Sequence, residues 1–240
     1  MNQSTLDLPT PSTQAAAVEL RVPVWKRGLD LAVVVVFLPV IVPVMTLIAL
    51  TIKIVSRGPV FFRQDRIGFR GKPFVCFKFR TMRAGASTAV HQGYFKQLME
   101  SNEPMTKMDS IGDPRLIRLG SILRASGLDE LPQLLNVLRG EMSIVGPRPC
   151  TPFEYSNYHP WQKQRFNTLP GLTGLWQVNG KNKTTFNRMI QLDSAYVERQ
   201  NIWLDVGIIL KTVPVVLIQV KEIVLRRLNQ RKSSSAKLET

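Results

Sequence analysis

From Leu31 to Ile52 the chain reads LAVVVVFLPVIVPVMTLIALTI, a run without a single charged side chain. An apolar helix of about 20 residues is long enough to cross the hydrocarbon core of a bilayer. Pro39 and Pro43 interrupt the run near its middle, where each removes a backbone donor and crowds the preceding turn. The stretch therefore predicts a membrane helix that is broken or bent at its centre.

Basic residues flank this apolar run on both sides. Lys26 and Arg27 precede it, and Lys53 and Arg57 follow it. Because Lys and Arg favour the cytoplasmic side of a membrane, both ends favour the same side. A re-entrant helix meets this condition: it enters the cytoplasmic leaflet, bends at the prolines and returns, and protein or interface satisfies the freed backbone groups. From the residues alone, a kinked helix that spans the membrane is equally compatible.

The rest of the chain divides around this helix. Residues 1–24 precede it, and within them 1–20 are polar and without hydrophobic period, which predicts a flexible tail. The membrane helix takes residues 25–57, and a globular head follows over 58–222. Residues 223–240 form a basic tail suited to anionic lipid headgroups.

The head shows both strand and helix patterns. Segments 60–63 and 74–79 alternate like strands around Gly68 and Gly71, which predicts a β-hairpin. Residues 84–112 are polar and indicate a surface insertion. Helical spacing recurs over 116–138, where Gly127 and Pro132 predict a division into two short helices.

The remaining segments complete the fold class. Residues 146–149 predict a stiff turn, 170–174 a loop and 184–201 a helix. Asp205 to Val220 is apolar but contains Lys211 and Pro214, which favours an interfacial or core helix. The expected fold is α+β: a mainly helical cytoplasmic head with a small β-hairpin, on an N-terminal re-entrant membrane helix.

The composition limits the classes of partner and of chemistry that the chain can have. The formal charge of +15 requires an anionic partner: nucleic acid, an acidic membrane surface or a phosphorylated substrate. Cys76 and Cys150 lie far apart, which indicates unpaired thiols in a reducing compartment, and His91 and His159 form no zinc motif. The sequence contains no phosphate-binding glycine loop, no nucleophile elbow and no nucleic-acid reader module, so we expect no nucleic acid partner.

Asp129 and Glu130 are the most informative acidic residues. They lie in Leu128-Asp129-Glu130-Leu131-Pro132-Gln133, among apolar side chains and close to Arg124. Since adjacent helix positions differ by about 100°, the two carboxylates cannot bind one metal symmetrically. They can divide the work, one holding or attacking a phosphate while the other binds a metal or a proton. A helix cap or a surface ion pair is the alternative interpretation.

Arginines form a second set of candidates. Guanidinium forks match phosphate oxygens bidentately, so arginines suit a diphosphate. Arg148 stands out because Pro147 and Pro149 stiffen its backbone. The other candidates are Arg80, Arg83, Arg115, Arg118 and Arg124.

Six blocks in order resemble one family. They are Lys26-Arg27-x-x-Asp30, GPVFFRQ over 58–64, KFRTM over 78–82, LDELPQLLNVL over 128–138, MSIVGPRP over 142–149 and PGLTGLWQV over 170–178. Together they resemble the monotopic phosphoglycosyl transferases, also called undecaprenyl-phosphate sugar phosphotransferases, a group of bacterial sugar transferases. The resemblance covers residues 25 to 220.

The resemblance implies a reaction and a membrane topology. The expected enzyme transfers a sugar 1-phosphate from a UDP-sugar to polyprenyl (undecaprenyl) phosphate and releases UMP, in exopolysaccharide, O-antigen or glycan assembly. Asp129 would attack the β-phosphate and form a covalent sugar-phosphate intermediate. Glu130 would assist through metal or proton handling. The helix would be re-entrant in the bacterial inner membrane, broken at Pro39 and Pro43, with the head on the cytoplasmic face.

The same resemblance implies the ligands. Mg²⁺ is the expected cofactor, with Asp129 and Glu130 as its candidate ligands, and Arg80, Arg124, Arg148 and Gln133 are the candidate phosphate-binding residues. The expected partners are a UDP-sugar, polyprenyl phosphate and the anionic membrane surface. The chain departs from many relatives in having Leu38 rather than Ser before Pro39, and it resembles the minimal form without further spans.

Some questions stay open from the sequence. The sugar could be galactose, glucose or an N-acetylated hexose, and a homo-oligomer is possible. A membrane-tethered basic binding protein with a merely structural Asp129–Glu130 pair is a second hypothesis, which the retained dyad and arginines disfavour. A single-pass anchor with an external domain is a third, and it conflicts with the basic residues on both flanks.

Overall fold

The computed structural model describes residues 21–83, 89–101, 103–105, 115–180, 184–216, 218 and 221. The predicted flexible tail over 1–20 and the basic tail over 223–240 lie outside this part of the chain. The described elements form one long apolar helix and a mostly helical head with two small sheets. This confirms the predicted fold class at the level of helices and strands.

The long helix, α1, spans Val24–Val55 and contains both prolines. It is helical through Pro39 and Pro43, so the helix is not interrupted there, and the bend at these two residues stays a prediction. Each proline removes only one helical hydrogen bond, which leaves the turns on either side able to continue. At 32 residues, α1 is the single helix in the described residues that is long and apolar enough to cross a membrane.

Both ends of α1 pack against the head, whereas its middle does not. Val34, near the start, is buried with Val137 and Met142 in one core cluster. Ile52, near the end, is fully buried in another cluster with Phe79 and Leu123. Between them, residues 35–40 are all exposed. The two ends of the apolar helix therefore meet the same folded unit.

Lys26 fixes the first turn of α1 inside the head. Its Nζ is fully buried and donates to Asp205 Oδ2 at 2.6 Å, to the Tyr196 hydroxyl at 2.7 Å and to the Val145 carbonyl at 2.8 Å. Arg27 donates to the carbonyls of Val137 and Leu138. These two cations therefore hold the start of the helix to the head, and the side of the membrane on which they lie stays a prediction.

The predicted hairpin is present. Strands β1 (Phe61–Ile67) and β2 (Pro73–Phe79) pair antiparallel, with Gln64 opposite Cys76 and Phe62 opposite Lys78. Opposite residues share a face of the sheet. One face of the hairpin thus carries Gln64 and Arg66 from β1, and Cys76 and Lys78 from β2.

The helices of the head follow in chain order. They are α2 (Ala89–Glu100), α3 (Gly120–Ser126), α4 (Leu134–Leu138), α5 (Pro152–Ser156), α6 (Leu175–Val178) and α7 (Phe186–Arg199), and residues 202–216 form α8. Helix α2 lies in the predicted surface insertion, but Phe95 is buried and its ring meets Phe186 edge-on at 5.4 Å. The described part of the insertion is therefore docked on the core.

A second sheet joins two distant segments. Strand β3 (Ser143–Val145) pairs parallel with β4 (Gly171–Thr173), which lies in the predicted loop 170–174. Ser143 and Ile144 both donate to the buried Asp30 carboxylate of α1. Strand β3 is therefore fixed by the membrane helix on one side and by β4 on the other, and it leads directly into the turn at residues 146–149.

Candidate active site

Asp129 and Glu130 lie on a short 3₁₀ helix, Leu128–Gln133, rather than on an α-helix. Gly127 adopts a left-handed φ of 75°, which ends α3 and starts this turn. Leu128 and Leu131 pack with Ile52 of α1 and Phe79 of β2. The apolar residues of the motif thus hold the acidic pair next to the end of the membrane helix.

The two carboxylates have different surroundings. Asp129 is buried, with 9% of its surface exposed, whereas the side chain of Glu130 is 39% exposed. Glu130 Oε1 accepts a charge-assisted hydrogen bond of 2.9 Å from Lys78 Nζ of the hairpin. The division of roles between the two carboxylates stays a prediction. Lys78 begins the KFRTM block but was not among the candidate residues.

Asn136 locks the dyad segment to the hairpin. It is fully buried; its Nδ2 donates to the Val75 carbonyl at 2.7 Å, and its Oδ1 accepts from the Phe77 amide at 3.2 Å. These bonds occupy backbone groups on the free edge of β2. Asn136 follows the dyad in the LDELPQLLNVL block, and it fixes the distance between the 3₁₀ helix and Lys78.

Arg148 extends from the turn at Gly146-Pro147-Arg148-Pro149. Its Nη1 lies 3.4 Å from Oε2 of Glu154, a buried carboxylate that also completes a capping box with Thr151 at the start of α5. The side chain of Arg148 keeps 32% of its surface exposed. It can therefore reach a ligand while Glu154 limits its orientation.

Several charges converge on the face of the hairpin that bears Cys76. Burial raises the pKa of the Cys76 thiol, and the cations Lys78, Arg66 and Arg148 oppose that shift while Glu130 adds to it. These four charged groups therefore act on one small region. Arg66 is buried, and sequence reasoning missed it because nothing in its spacing separates it from the other arginines of the hairpin.

The remaining predicted arginines lie elsewhere or have other partners. Arg80 is buried, and its two terminal nitrogens donate to the carbonyls of Ser56 at 2.9 Å and Arg57 at 2.7 Å. It ties the end of α1 to the hairpin, so its role in phosphate binding stays a prediction. Arg124 lies in the last turn of α3, directly before the dyad turn, and Gln133 is buried at the end of the dyad helix.

Both cysteines are free, as predicted, and the structure shows that both are buried. Burial raises the pKa of the Cys150 thiol to about 12. Neither thiol is a candidate nucleophile, because the thiolate is the reactive form.

The acidic side chains of the site can be compared with what the expected Mg²⁺ requires. Among the described residues, no three His, Cys, Asp or Glu side chains converge. Mg²⁺ in phosphate chemistry needs no such cage, since it commonly takes one or two carboxylates and completes its shell with phosphate oxygens and water. Asp129 and Glu130 fit a metal that is shared with the substrate.

Comparison with known proteins places the chain in a family. Residues 21–219 match the family described as bacterial sugar transferase. This chain belongs to that family, and it is a transferase.

Several relatives carry names that state an activity. The chain is 37% identical to the exopolysaccharide production protein ExoY of Sinorhizobium fredii, over 80% of this chain and 84% of ExoY. It is 40% identical to the UDP-glucose:undecaprenyl-phosphate glucose-1-phosphate transferase of Caulobacter vibrioides, over 84% of this chain and 71% of the relative. It is 37% identical to the undecaprenyl-phosphate galactose phosphotransferase of Salmonella typhimurium, over 80% of this chain and 40% of the relative.

The relatives differ in length around the shared part. The matched region spans 84% of ExoY but 35% of the galactosyl transferase CpsE of Streptococcus agalactiae. The chain therefore corresponds to most of some relatives and to a minor part of others.

Proposed function

We propose that this chain transfers a sugar 1-phosphate from a UDP-sugar to undecaprenyl phosphate and releases UMP. One observation carries the proposal: the buried Asp129 and the Lys78-paired Glu130 lie at the end of the membrane helix, next to the region where Arg66 and Arg148 converge. The family match and the names of the relatives support the same reaction class.

The proposed first step is nucleophilic. An Asp129 carboxylate oxygen attacks the β-phosphorus of the UDP-sugar and forms a P–O bond, and the bond between that phosphorus and the bridging oxygen breaks. The electron pair leaves with UMP, and the sugar phosphate stays on Asp129 as an acyl phosphate. Because a carboxylate approaching a diphosphate meets like charge, cations must first neutralise the phosphates. Lys78 and Arg148 supply such charge.

The proposed second step regenerates the enzyme. A phosphate oxygen of the polyprenyl phosphate attacks the same phosphorus, and the Asp129 oxygen leaves as a carboxylate. The product is a polyprenyl diphosphate sugar. Splitting the transfer in this way lets one phosphate site serve a soluble donor and then a lipid acceptor.

Mg²⁺ belongs to this proposal as well. Asp129 or Glu130 would hold it, and it would supply positive charge that stabilises the diphosphate. The protein residues retain separate tasks: Asp129 attacks, Lys78 holds Glu130, and Arg148 binds phosphate.

The re-entrant topology is part of the proposal, and the packing of α1 supports it. A folded head lies on one side of a membrane, so a helix whose two ends both pack on that head cannot deliver its ends to opposite sides. Lys26 and Ile52 are both fully buried against the head, whereas residues 35–40 are exposed and apolar. The exposed middle of α1 would then lie in the cytoplasmic leaflet of the bacterial inner membrane.

The test is a half-reaction without lipid acceptor. Purified protein is incubated with UDP-glucose, UDP-galactose or UDP-N-acetylhexosamines, and UMP release and protein mass are measured. We expect about one equivalent of UMP and a sugar-phosphate adduct with at least one donor. Asp129→Asn, which keeps the shape but loses the nucleophilic charge, should give neither.

The matched control is Asp65→Asn, an exposed carboxylate on β1. It should form the adduct at the wild-type rate. Turnover by Asp129→Asn would exclude the covalent mechanism, and an active wild type without an adduct would indicate direct transfer between the two substrates.

A further inference from the structure

Four consecutive carbonyls around Arg148 are each held by a donor from another segment. Gly171 N donates to Pro147 O at 2.9 Å, and Ile67 N donates to Cys150 O at 2.8 Å. Between them, two buried arginines supply the donors: Arg165 reaches Arg148 O at 2.8 Å, and Arg66 reaches Pro149 O at 3.1 Å.

The Pro-Arg-Pro sequence explains why side chains are needed. Pro147 and Pro149 have no amide hydrogen, so this segment cannot be fixed by ladder hydrogen bonds through those residues. Its carbonyls still need partners when they are buried. Guanidinium groups reach two or more acceptors at once from outside the turn, which a backbone amide cannot do.

Arg165 is itself built into the core at some cost. It is 1% exposed, forms an ion pair with the equally buried Asp193 of α7, and donates to the Tyr158 hydroxyl at 3.2 Å. A buried ion pair is weak as a source of stability, because desolvation offsets its attraction. The ion pair holds the Arg165 guanidinium rigidly in place, where it faces the backbone of Arg148.

Arg66, on the hairpin, holds the second carbonyl. Its Nη2 donates to Gln64 Oε1 at 2.6 Å, which orients the guanidinium towards Pro149. Burial, together with the nearby positive charge of Arg148, lowers the pKa of Arg66. The buried Glu154 carboxylate, which pairs with Arg148, opposes this lowering, so it partly offsets the repulsion between the two arginines.

We infer that Arg66 and Arg165 are positioning residues that set the direction of the Arg148 guanidinium towards the substrate diphosphate. The inference rests on the proposed function, since it assigns Arg148 to phosphate binding. In this inference Arg66 and Arg165 act through Arg148, by fixing the carbonyls of Arg148 and Pro149.

The experiment is a double-mutant cycle. Arg165→Lys and Arg66→Lys keep a positive charge but lose the planar fork, and each is made in the wild type and in Arg148→Lys. Because a misaligned binding group loses transition-state contacts, each single change should lower kcat/KM for the UDP-sugar by about tenfold or more. In the Arg148→Lys background there is no planar guanidinium left to orient, because the lysine side chain is flexible and ends in a single ammonium group. The same changes at position 66 or 165 should then lower kcat/KM by only about threefold or less.

Arg63→Lys is the matched control. Arg63 lies on the same strand as Arg66 but on the opposite, exposed face, over the Phe77 ring. It should leave kcat/KM unchanged in both backgrounds. Melting temperatures of all variants separate loss of fold from loss of alignment, and if Arg165→Lys does not fold, Arg66→Lys carries the cycle.

The outcomes are distinguishable. Equal losses in the two backgrounds would mean that the arginines act only through stability, which overturns the inference. Wild-type protein that releases no UMP with any donor would remove the proposed function, and the inference with it. If the wild type releases UMP but the losses in kcat/KM of the variants are additive, the inference is wrong and the proposed function stands.

Discussion

Lys78 illustrates how a single residue connects the hairpin to the chemistry. Its ammonium lies 2.9 Å from Glu130 and is only 22% exposed, so it contributes a fixed positive charge beside the acidic pair. In a partly desolvated site, such a charge stabilises a developing phosphate charge more strongly than it would in water. We therefore expect Lys78 to serve catalysis more than stability.

The prediction concerns Lys78→Met, which keeps the length of the side chain and removes its charge. UMP release with the active donor should fall by about 100-fold, in the range seen when one charge-stabilising donor is removed, while the melting temperature changes little. Lys72→Met, at an exposed position of the same hairpin, should behave like the wild type. Normal UMP release by Lys78→Met would mean that the Lys78–Glu130 pair is only a surface ion pair.

Residue types and motif order were enough to predict the dyad and Arg148 as candidates, but not the use of each arginine. Arg80 was predicted to bind phosphate, which stays a prediction, and in the structure its guanidinium also holds the carbonyls of Ser56 and Arg57. Arg66 is buried beside Arg148 and was not considered. An arginine that binds a carbonyl and one that binds a phosphate have the same sequence signature, so only the fold separates them.

Among the elements, α1 helps to arrange the site through its hydrogen bonds to β3. Asp30 accepts hydrogen bonds from Ser143 and Ile144 of β3, and Lys26 donates to the carbonyl of Val145. Strand β3 then enters the Pro-Arg-Pro turn. The first turns of α1 and the turn that bears Arg148 are therefore joined through three consecutive residues, 143–145.

The prediction for this element concerns Lys26→Met. It leaves the Asp205 carboxylate, 1% exposed, buried without its cation, which should lower the free energy of unfolding by about 3–5 kcal/mol. Lys26→Met with Asp205→Leu removes both charges and should recover much of the loss. The free energies of unfolding of the wild type, Lys26→Met and the double variant are measured by denaturant unfolding in detergent. The control is Lys53→Met, an exposed lysine at the other end of α1, and an equal loss there would refute the assignment.

Local pattern predicted the elements whose partners are close in sequence. The hairpin, α7 and the division at Gly127 were all expected, because each depends on periodicity or on a residue with a distinct backbone preference. The β3–β4 pair was missed, since three-residue strands carry little pattern and pair across 28 positions (Ser143 with Gly171). The burial of Lys26 was missed for the same reason: Asp205 lies 179 residues away.

At the scale of the whole molecule, two exposed apolar surfaces of the described residues bear on membrane contact. One is the middle of α1, where Val35, Val36 and Val40 are more than 60% exposed. The other is α8, where Trp203 and Leu210 are exposed while Asp205 and Ile208 face the core. Tryptophan favours the interface between headgroups and acyl chains. A head that lies on the membrane through α8, with α1 dipping into the same leaflet, would cover both surfaces and bring the dyad near the lipid phosphate.

This arrangement makes a prediction about sidedness that a spanning helix does not share. Single cysteines are placed at Val24, the exposed first residue of α1, and at Asn187, an exposed position of α7. Cys76 and Cys150 are fully buried and should not react. In right-side-out membrane vesicles an impermeant thiol reagent should modify neither cysteine, and in inside-out vesicles it should modify both, because the two ends of α1 pack on one head. If α1 crosses the bilayer, the cysteine at position 24 reacts in right-side-out vesicles while that at position 187 stays protected. That result would also require the buried contacts of Lys26 with Asp205 to be absent in the membrane, so it would contradict both the re-entrant topology and the docking of α1.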